Sequence, residues 1–272
     1  MDINDHILQQ KSLVGRQFKN KKIQVIGLPR SGSSYFADAL NKIVIASTLR
    51  LTVILGEPIQ DGTTKEINYY YEAIKDPNVF VIKHHARQFD SLVKHYGFNR
   101  LANRFYNIGL IRNNIFSLAL SLSVAEHTGQ AAEYTYTTDN KITINRQKFI
   151  DCLYTQIRAC EAFVNNLDHY NEIVYYKDLT FDPAMDFNNL KLALNLFPNG
   201  IELMENKKEY LAPNKFEVVT NHEELHQVTL DFLTYYTHPQ IEVTGVNFEL
   251  RPPNSKTTAN RISQSTDSYR SY

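Results

Sequence analysis

The sequence is poor in cysteine and has no excess of either charge, and these absences exclude several classes of protein. Its 272 residues include two cysteines, Cys152 and Cys160, which lie eight apart in one helical pattern. We interpret them as buried apolar side chains rather than as a disulfide or a metal site. The 29 basic and 29 acidic side chains cancel, so we expect no nucleic-acid partner.

Long apolar runs and targeting signals are also lacking. No run reaches the length of a membrane-spanning helix, and "MDINDHILQQ" has the features of neither a signal nor a transit peptide. We therefore expect a cytoplasmic chain with no membrane partner. The 43% of apolar residues is enough for a sizeable core. We predict one domain over residues 1–251, with an insertion or lid loop at 128–147, and a polar C-terminal tail at 252–272.

Apolar periodicity predicts strands that alternate with helices. Short β-branched runs predict strands at 22–28, 78–85, 106–112 and 172–176. Apolar residues at helical spacing predict helices at 33–46, 114–127, 148–167, 187–197 and 221–236. This alternation indicates an α/β fold with a largely parallel central sheet flanked by helices.

The segment "IQVIGLPRSGSSYFADAL" contains a glycine-rich turn between the first strand and the first helix. Gly27 and Gly32 have the spacing of a Walker A loop, but Ser33 and Ser34 stand where that loop has Lys and Ser/Thr. Such a turn still presents backbone N–H groups at the positive end of a helix dipole. Without the lysine that reaches β/γ-phosphates, it suits a smaller anion, held with no metal ion.

The stretch "GLPRSGSSYFADAL" resembles the 5′-phosphosulfate loop of the sulfotransferase family. Members of that family have a P-loop-like α/β fold and use 3′-phosphoadenosine 5′-phosphosulfate (PAPS) as the sulfuryl donor. The resemblance implies that five consecutive residues wrap the 5′-phosphosulfate, with the arginine in place of the family's Lys/Arg. They are Arg30, Ser31, Gly32, Ser33 and Ser34.

Two further segments resemble the family's nucleotide-binding elements. In "LIRNNIFSLALSLSVA", Arg112 at a strand end matches the arginine that reads the 3′-phosphate, and Ser121 or Ser117 matches the serine that follows it. The commonest spacing would fall on Leu120, and we favour Ser121. In "IVYYKDLTFDP", Tyr176 corresponds to an aromatic residue near the adenine. The C-terminal basic loop of the cytosolic members is absent.

The run "VIKHH" resembles the strand of the family that ends in K-x-H, with Lys83 and His85 on those positions. Histidine suits the removal of a proton from the acceptor, because its usual pKa lies near neutrality. We therefore assign His85 as the general base and Lys83 and Arg30 as the charges that stabilise the leaving phosphate. His84 should point to the opposite face of the strand. Glu57 stays as an alternative base.

Other functions are compatible with parts of the sequence. "HEELH", at 222–226, matches the zinc-protease motif H-E-x-x-H, although it also fits the first turn of an ordinary amphipathic helix. The fold could also serve a non-catalytic nucleotide-binding module, or a small-molecule kinase with a degenerate loop. Tyrosine-rich segments at 68–74 and 128–147 would suit a sugar or polar metabolite, and they fit packing in the core equally well. We expect a small-molecule or glycan acceptor. The oligomeric state is left open.

Overall fold

The computed structural model describes residues 22–48, 53–58, 63–95, 105–129, 141–175 and 215–251. Several sequence predictions therefore fall outside the described residues. These are the helix at 187–197, Tyr176, the centre of the 128–147 segment and the tail at 252–272. The assignment of residues 1–251 to one domain stays a prediction for the same reason.

A five-stranded parallel sheet forms the centre of the protein, in the order β2-β3-β1-β4-β5. The strands are β1 Lys22–Gly27, β2 Val53–Gly56, β3 Val79–His85, β4 Phe105–Ile111 and β5 Glu172–Tyr175. The predicted α/β fold with a parallel central sheet is confirmed.

The sheet is flanked by helices, and a small hairpin follows the last of them. The helices are α1 Ser33–Thr48, α2 Thr64–Ala73, α3 Ala86–His95, α4 Ile115–Thr128, α5 Arg146–Val164, α6 Lys215–Val218 and α7 His222–Leu233, with a 3₁₀ turn at Leu167–His169. The hairpin pairs β6 Ile241–Thr244 with β7 Asn247–Leu250. Among the helices in the described ranges, none is both long and apolar enough to cross a membrane.

Side chains of each strand alternate between two apolar clusters, one on each face of the sheet. Ile23 and Val25 of β1 belong to the cluster that contains Phe36 and Leu40 of α1. Ile26 belongs to the larger cluster on the opposite face, which includes residues of α3, α4 and α5. Both faces of the sheet are therefore buried, as is usual for a parallel sheet. Cys152 and Cys160 are buried and free, as predicted.

Elements that the periodicity did not predict lie mainly around β3. Strand β2 has four residues, and its apolar run at 53–55 is too short to predict a strand by itself. Helix α2 starts from a capping box at Thr63 and Glu66, but its sequence is polar and rich in tyrosine. Helix α3 has apolar residues at helical spacing, Phe89, Leu92 and Val93, but it follows β3 with no intervening turn residue that would separate the two elements.

The order of the strands determines where a ligand can bind. From β1 the chain continues toward β2 on one side, and from β4 it continues toward β5 on the other. The carboxyl ends of β1 and β4 therefore flank the position where the direction of winding reverses. In open α/β sheets this is where ligands bind.

Candidate functional site

The loop between β1 and α1 is a tight turn with two left-handed residues. Arg30 has φ of 67° and Gly32 has φ of 82°. The loop returns so closely that a Cβ on Gly27 would lie 2.7 Å from Ser31 Oγ and 2.8 Å from Ser33 Cβ. Glycine is therefore required at position 27 by contact rather than by its own φ. The left-handed conformation at Arg30 is uncommon for a residue with a side chain.

The serines of the loop differ in their environments. Ser31 is fully buried, and its hydroxyl has no hydrogen-bond partner among the described residues. Ser33 is also buried, whereas Ser34 is exposed at the first turn of α1. An unsatisfied buried hydroxyl beside a helix N-terminus is available to an anion held in the loop.

Arg30 connects the loop to α4. Its Nε donates a hydrogen bond to Ser121 Oγ at 3.2 Å, and Ser121 is buried. Ser117, the alternative serine, lies in the first turn of α4, where its backbone N–H binds the Asn114 side chain at 2.7 Å. Arg112 directly follows β4 and is half-buried. The structure thus brings Ser121 into contact with Arg30, the residue that matches the family's Lys/Arg in the loop.

A second group of side chains lies at the carboxyl ends of β2 and β3. Lys83 Nζ donates to Ser34 Oγ at 2.8 Å and also to Glu57 Oε1. His85 Nε2 lies 3.3 Å from the same Glu57 oxygen. The loop and the two strand ends therefore form one continuous site that contains Arg30, Ser34, Glu57, Lys83 and His85.

The charges in this group shift the protonation of Glu57 and His85. Burial by itself would raise the pKa of Glu57, but the hydrogen bond from Lys83 and the charges of His85 and Lys83 lower it below its usual value. Burial lowers the pKa of His85, and Lys83 and Arg30 lower it further against the opposing effect of Glu57. At neutral pH the site therefore contains an ionised carboxylate and a neutral imidazole.

Two glutamines that the sequence analysis did not select support the site. Gln156 of α5 is buried and donates its Nε2 to the Pro29 carbonyl at 3.1 Å. Gln88 accepts a hydrogen bond from the His85 backbone N–H at 2.8 Å. The sequence does contain a signal for Gln156, since it is an amide on the apolar face of a predicted helix. A polar side chain that is buried needs a hydrogen-bond partner, which marks such a residue for attention.

His84 lies on the opposite face of β3 from His85, as strand alternation predicts. It is fully buried, with its ring 5.5 Å from that of Tyr70 and 6.4 Å from that of Phe89 between centroids. Neither ring nitrogen has a hydrogen-bond partner within the described part of the chain. Burial, with a smaller contribution from the charge of His85, lowers the pKa of His84 to about 3.

His84 should therefore make folding sensitive to acid. Its folded pKa lies below the unfolded value, so its contribution to stability is complete above about pH 6.5 and is lost as the pH falls toward 3. By pH 5 the loss is about 2 kcal/mol. In urea unfolding at pH 7 and pH 5, the wild type should lose about that much more stability than His84→Leu. Equal losses in both proteins would contradict the assignment.

The "HEELH" segment forms the beginning of α7, and its two histidines contact protein groups. His222 Nδ1 lies 3.0 Å from the Val219 carbonyl, and the His226 ring meets the Phe116 ring edge-on at 5.0 Å between centroids. Within the described ranges, no three His, Cys, Asp or Glu side chains are grouped so that they could hold a metal ion. These contacts give the segment a structural role in the described part of the protein.

No family model matches this chain, and no curated protein matches it. Among the solved structures that match is a sulfotransferase domain from the curacin biosynthetic pathway. It covers 90% of this chain and 97% of its own, with 11% identity and a TM-score of 0.40. A similarity at that TM-score carries no argument about activity. Any functional assignment therefore rests on the residues and geometry of the site.

Proposed function

We propose that this protein transfers a sulfuryl group from PAPS to a hydroxyl or amine of a small-molecule or glycan acceptor. The observation that carries the proposal is the position of Lys83, which hydrogen-bonds Ser34 of the loop. A loop without the Walker lysine has no cation directly after Gly32, and Lys83 supplies a positive charge at Ser34 from the neighbouring strand. That cation stands beside an imidazole suited to accept a proton, so charge stabilisation and proton removal are available at one place.

Binding of the donor would use the loop, the residue Arg112 that follows β4, and Ser121 in the middle of α4. The backbone N–H groups of the loop and α1 would hold the 5′-phosphosulfate, with Arg30 and the Ser31 hydroxyl contributing side-chain contacts. Arg112 and Ser121 would bind the 3′-phosphate. The short distance between Arg30 and Ser121 supports this arrangement, because it brings the two phosphate sites to one end of the sheet. Tyr176 would contact the adenine.

The transfer step needs a base and a stabilised leaving group. The acceptor oxygen or nitrogen would form a bond to sulfur and lose its proton to His85. The bond from sulfur to the bridging oxygen would break, and its electron pair would remain on the 5′-phosphate of the departing 3′,5′-bisphosphate. Lys83 and Arg30 would stabilise that developing charge, so the step requires no metal ion.

A comparison of nucleotides tests the donor assignment. In isothermal titration, 3′-phosphoadenosine 5′-phosphate should bind more tightly than AMP or ATP. A screen of labelled PAPS against sugars, other alcohols and amines would then identify the acceptor. Tighter binding of ATP would favour a kinase and overturn the proposal. Binding of the bisphosphate with no transfer to any acceptor would favour a non-catalytic nucleotide-binding module.

Arg112→Ala should separate the two phosphate sites. A charge-assisted hydrogen bond to phosphate contributes roughly 1.5 to 3 kcal/mol, so binding of the bisphosphate should weaken by about tenfold to a hundredfold. Binding of AMP, which lacks the 3′-phosphate, should stay nearly unchanged. Arg158→Ala, which removes an exposed arginine of α5, is the matched control. Equal weakening of both ligands would exclude Arg112 from the 3′-phosphate site.

A further inference from the structure

The side chain of Glu57 is shared between the two residues of β3 that the proposed chemistry uses. Its Oε1 accepts a hydrogen bond from Lys83 Nζ and lies 3.3 Å from His85 Nε2. Its backbone N–H donates to the Lys83 carbonyl at 2.9 Å, so the residue is held to β3 through main chain and side chain alike.

The backbone of Glu57 is in a sparsely populated conformation. Its φ is 46°, in the left-handed region that a residue with a side chain rarely adopts. Such a conformation is strained and persists where surrounding contacts determine it. Glycine would adopt it without strain but would place no carboxylate between Lys83 and His85. The strained turn thus coincides with a specific polar contact.

We infer that Glu57 is a positioning residue that holds the His85 ring with its proton on Nε2, which leaves Nδ1 as the atom that receives the acceptor's proton. The inference rests on the proposed function for its catalytic meaning. In the step, the proton of the acceptor moves to Nδ1, and the Nε2–H continues to donate to Glu57. The imidazolium that forms is then adjacent to an ionised carboxylate and is stabilised by it.

This inference differs from the alternative in which Glu57 itself is the base. The carboxylate is bound by Lys83, and its pKa is lowered by that hydrogen bond and by the neighbouring positive charges even though burial opposes them. A carboxylate in this state is a weak base. His85 is neutral at pH 7, because burial and the charges of Lys83 and Arg30 lower its pKa. The charged groups around His85 therefore favour His85 as the base and Glu57 as the residue that positions it.

The ring of His85 can be observed without any ligand. In ¹⁵N NMR of the full chain, the signal of His85 is identified by its absence from His85→Gln. We expect the neutral ring to carry its proton on Nε2. In Glu57→Gln, the pKa of His85 should fall by about one to two pH units, because the nearby opposite charge is lost while Lys83 and Arg30 remain. Glu72→Gln, which removes an exposed carboxylate of α2, should leave it unchanged.

Kinetics provide the second readout. In Glu57→Gln, the acidic limb of kcat/KM should move to lower pH by a similar amount, and kcat should fall about tenfold, since a base of lower pKa is weaker. KM for the donor should not rise, because Glu57 does not bind the donor and the substitution removes a negative charge near the incoming anion. A proton on Nδ1 in the wild type, or a His85 pKa that does not respond to Glu57→Gln, would overturn the inference. Absence of transfer with the NMR results as expected would refute sulfuryl transfer and leave the positioning contact established.

Discussion

His85→Ala is expected to slow sulfuryl transfer by about a hundredfold or more, because removal of a positioned general base costs 10²- to 10⁴-fold. Binding of the 3′,5′-bisphosphate should remain close to the wild type. The side chain lies at the end of β3 beside Glu57, whereas the proposed nucleotide contacts belong to the loop and α4. The measurement is single-turnover transfer from labelled PAPS, with bisphosphate binding followed in parallel.

The control for His85→Ala should be a histidine whose removal does not disturb the core. His84→Ala would leave a cavity in the core, since His84 is fully buried. His127→Ala is the better control, because His127 is an exposed histidine in the last turn of α4. Wild-type transfer by His85→Ala would move the base to another residue and overturn the inferred role of Glu57. Loss of binding together with transfer would show that His85 maintains the shape of the strand end.

The wild-type reaction should also lose activity in acid. Burial, Lys83 and Arg30 lower the pKa of His85 from its usual value despite Glu57, so the ring is neutral at pH 7. Activity that needs the neutral ring should be complete at neutral pH and should fall only below about pH 6.5. In His85→Ala this acidic limb should disappear from whatever activity remains.

Lys83→Met is expected to reduce the rate of transfer by about a hundredfold to a thousandfold, which is the usual cost of removing one donor from a site that stabilises developing charge. Lys83 Nζ contacts Ser34 of the loop and Glu57, and its side chain is 12% exposed. In Lys83→Met, the negative charge of Glu57 would no longer be neutralised by the lysine, and it would repel the anionic donor. Binding of the bisphosphate should therefore weaken too, by roughly tenfold.

Lys94→Met is the matched control for this substitution. Lys94 is an exposed lysine of α3 that pairs with Asp90 and lies outside the site. Transfer should be measured at saturating donor, so that weaker binding is separated from slower chemistry. A wild-type rate in Lys83→Met would show that the loop obtains its positive charge elsewhere, and it would remove the observation on which the proposed function rests.

The sequence predicted the parts of the fold that have a strong local signal. Strands β1, β3, β4 and β5 are short apolar runs, helices α1, α5 and α7 have an apolar face, and α4 is apolar around most of its circumference. Strand β2 was not predicted, because its apolar run of three residues is shorter than a typical strand. The tyrosines of α2 did not mark it as a helix, although Tyr70 is fully buried against the sheet. Both elements depend on their neighbours rather than on their own periodicity.

The sequence alone was enough to identify the loop after β1, with no lysine after Gly32, and to place Lys83, His85 and Arg112 at strand ends. These features depend on residue type and on the alternation of side chains along a strand, which are local properties. The contacts of Lys83 with Ser34, of Arg30 with Ser121 and of Gln156 with Pro29 emerge only in the folded chain. These contacts join residues that are 49, 91 and 127 positions apart. The order of the strands in the sheet brings such residues together, and local periodicity does not encode that order.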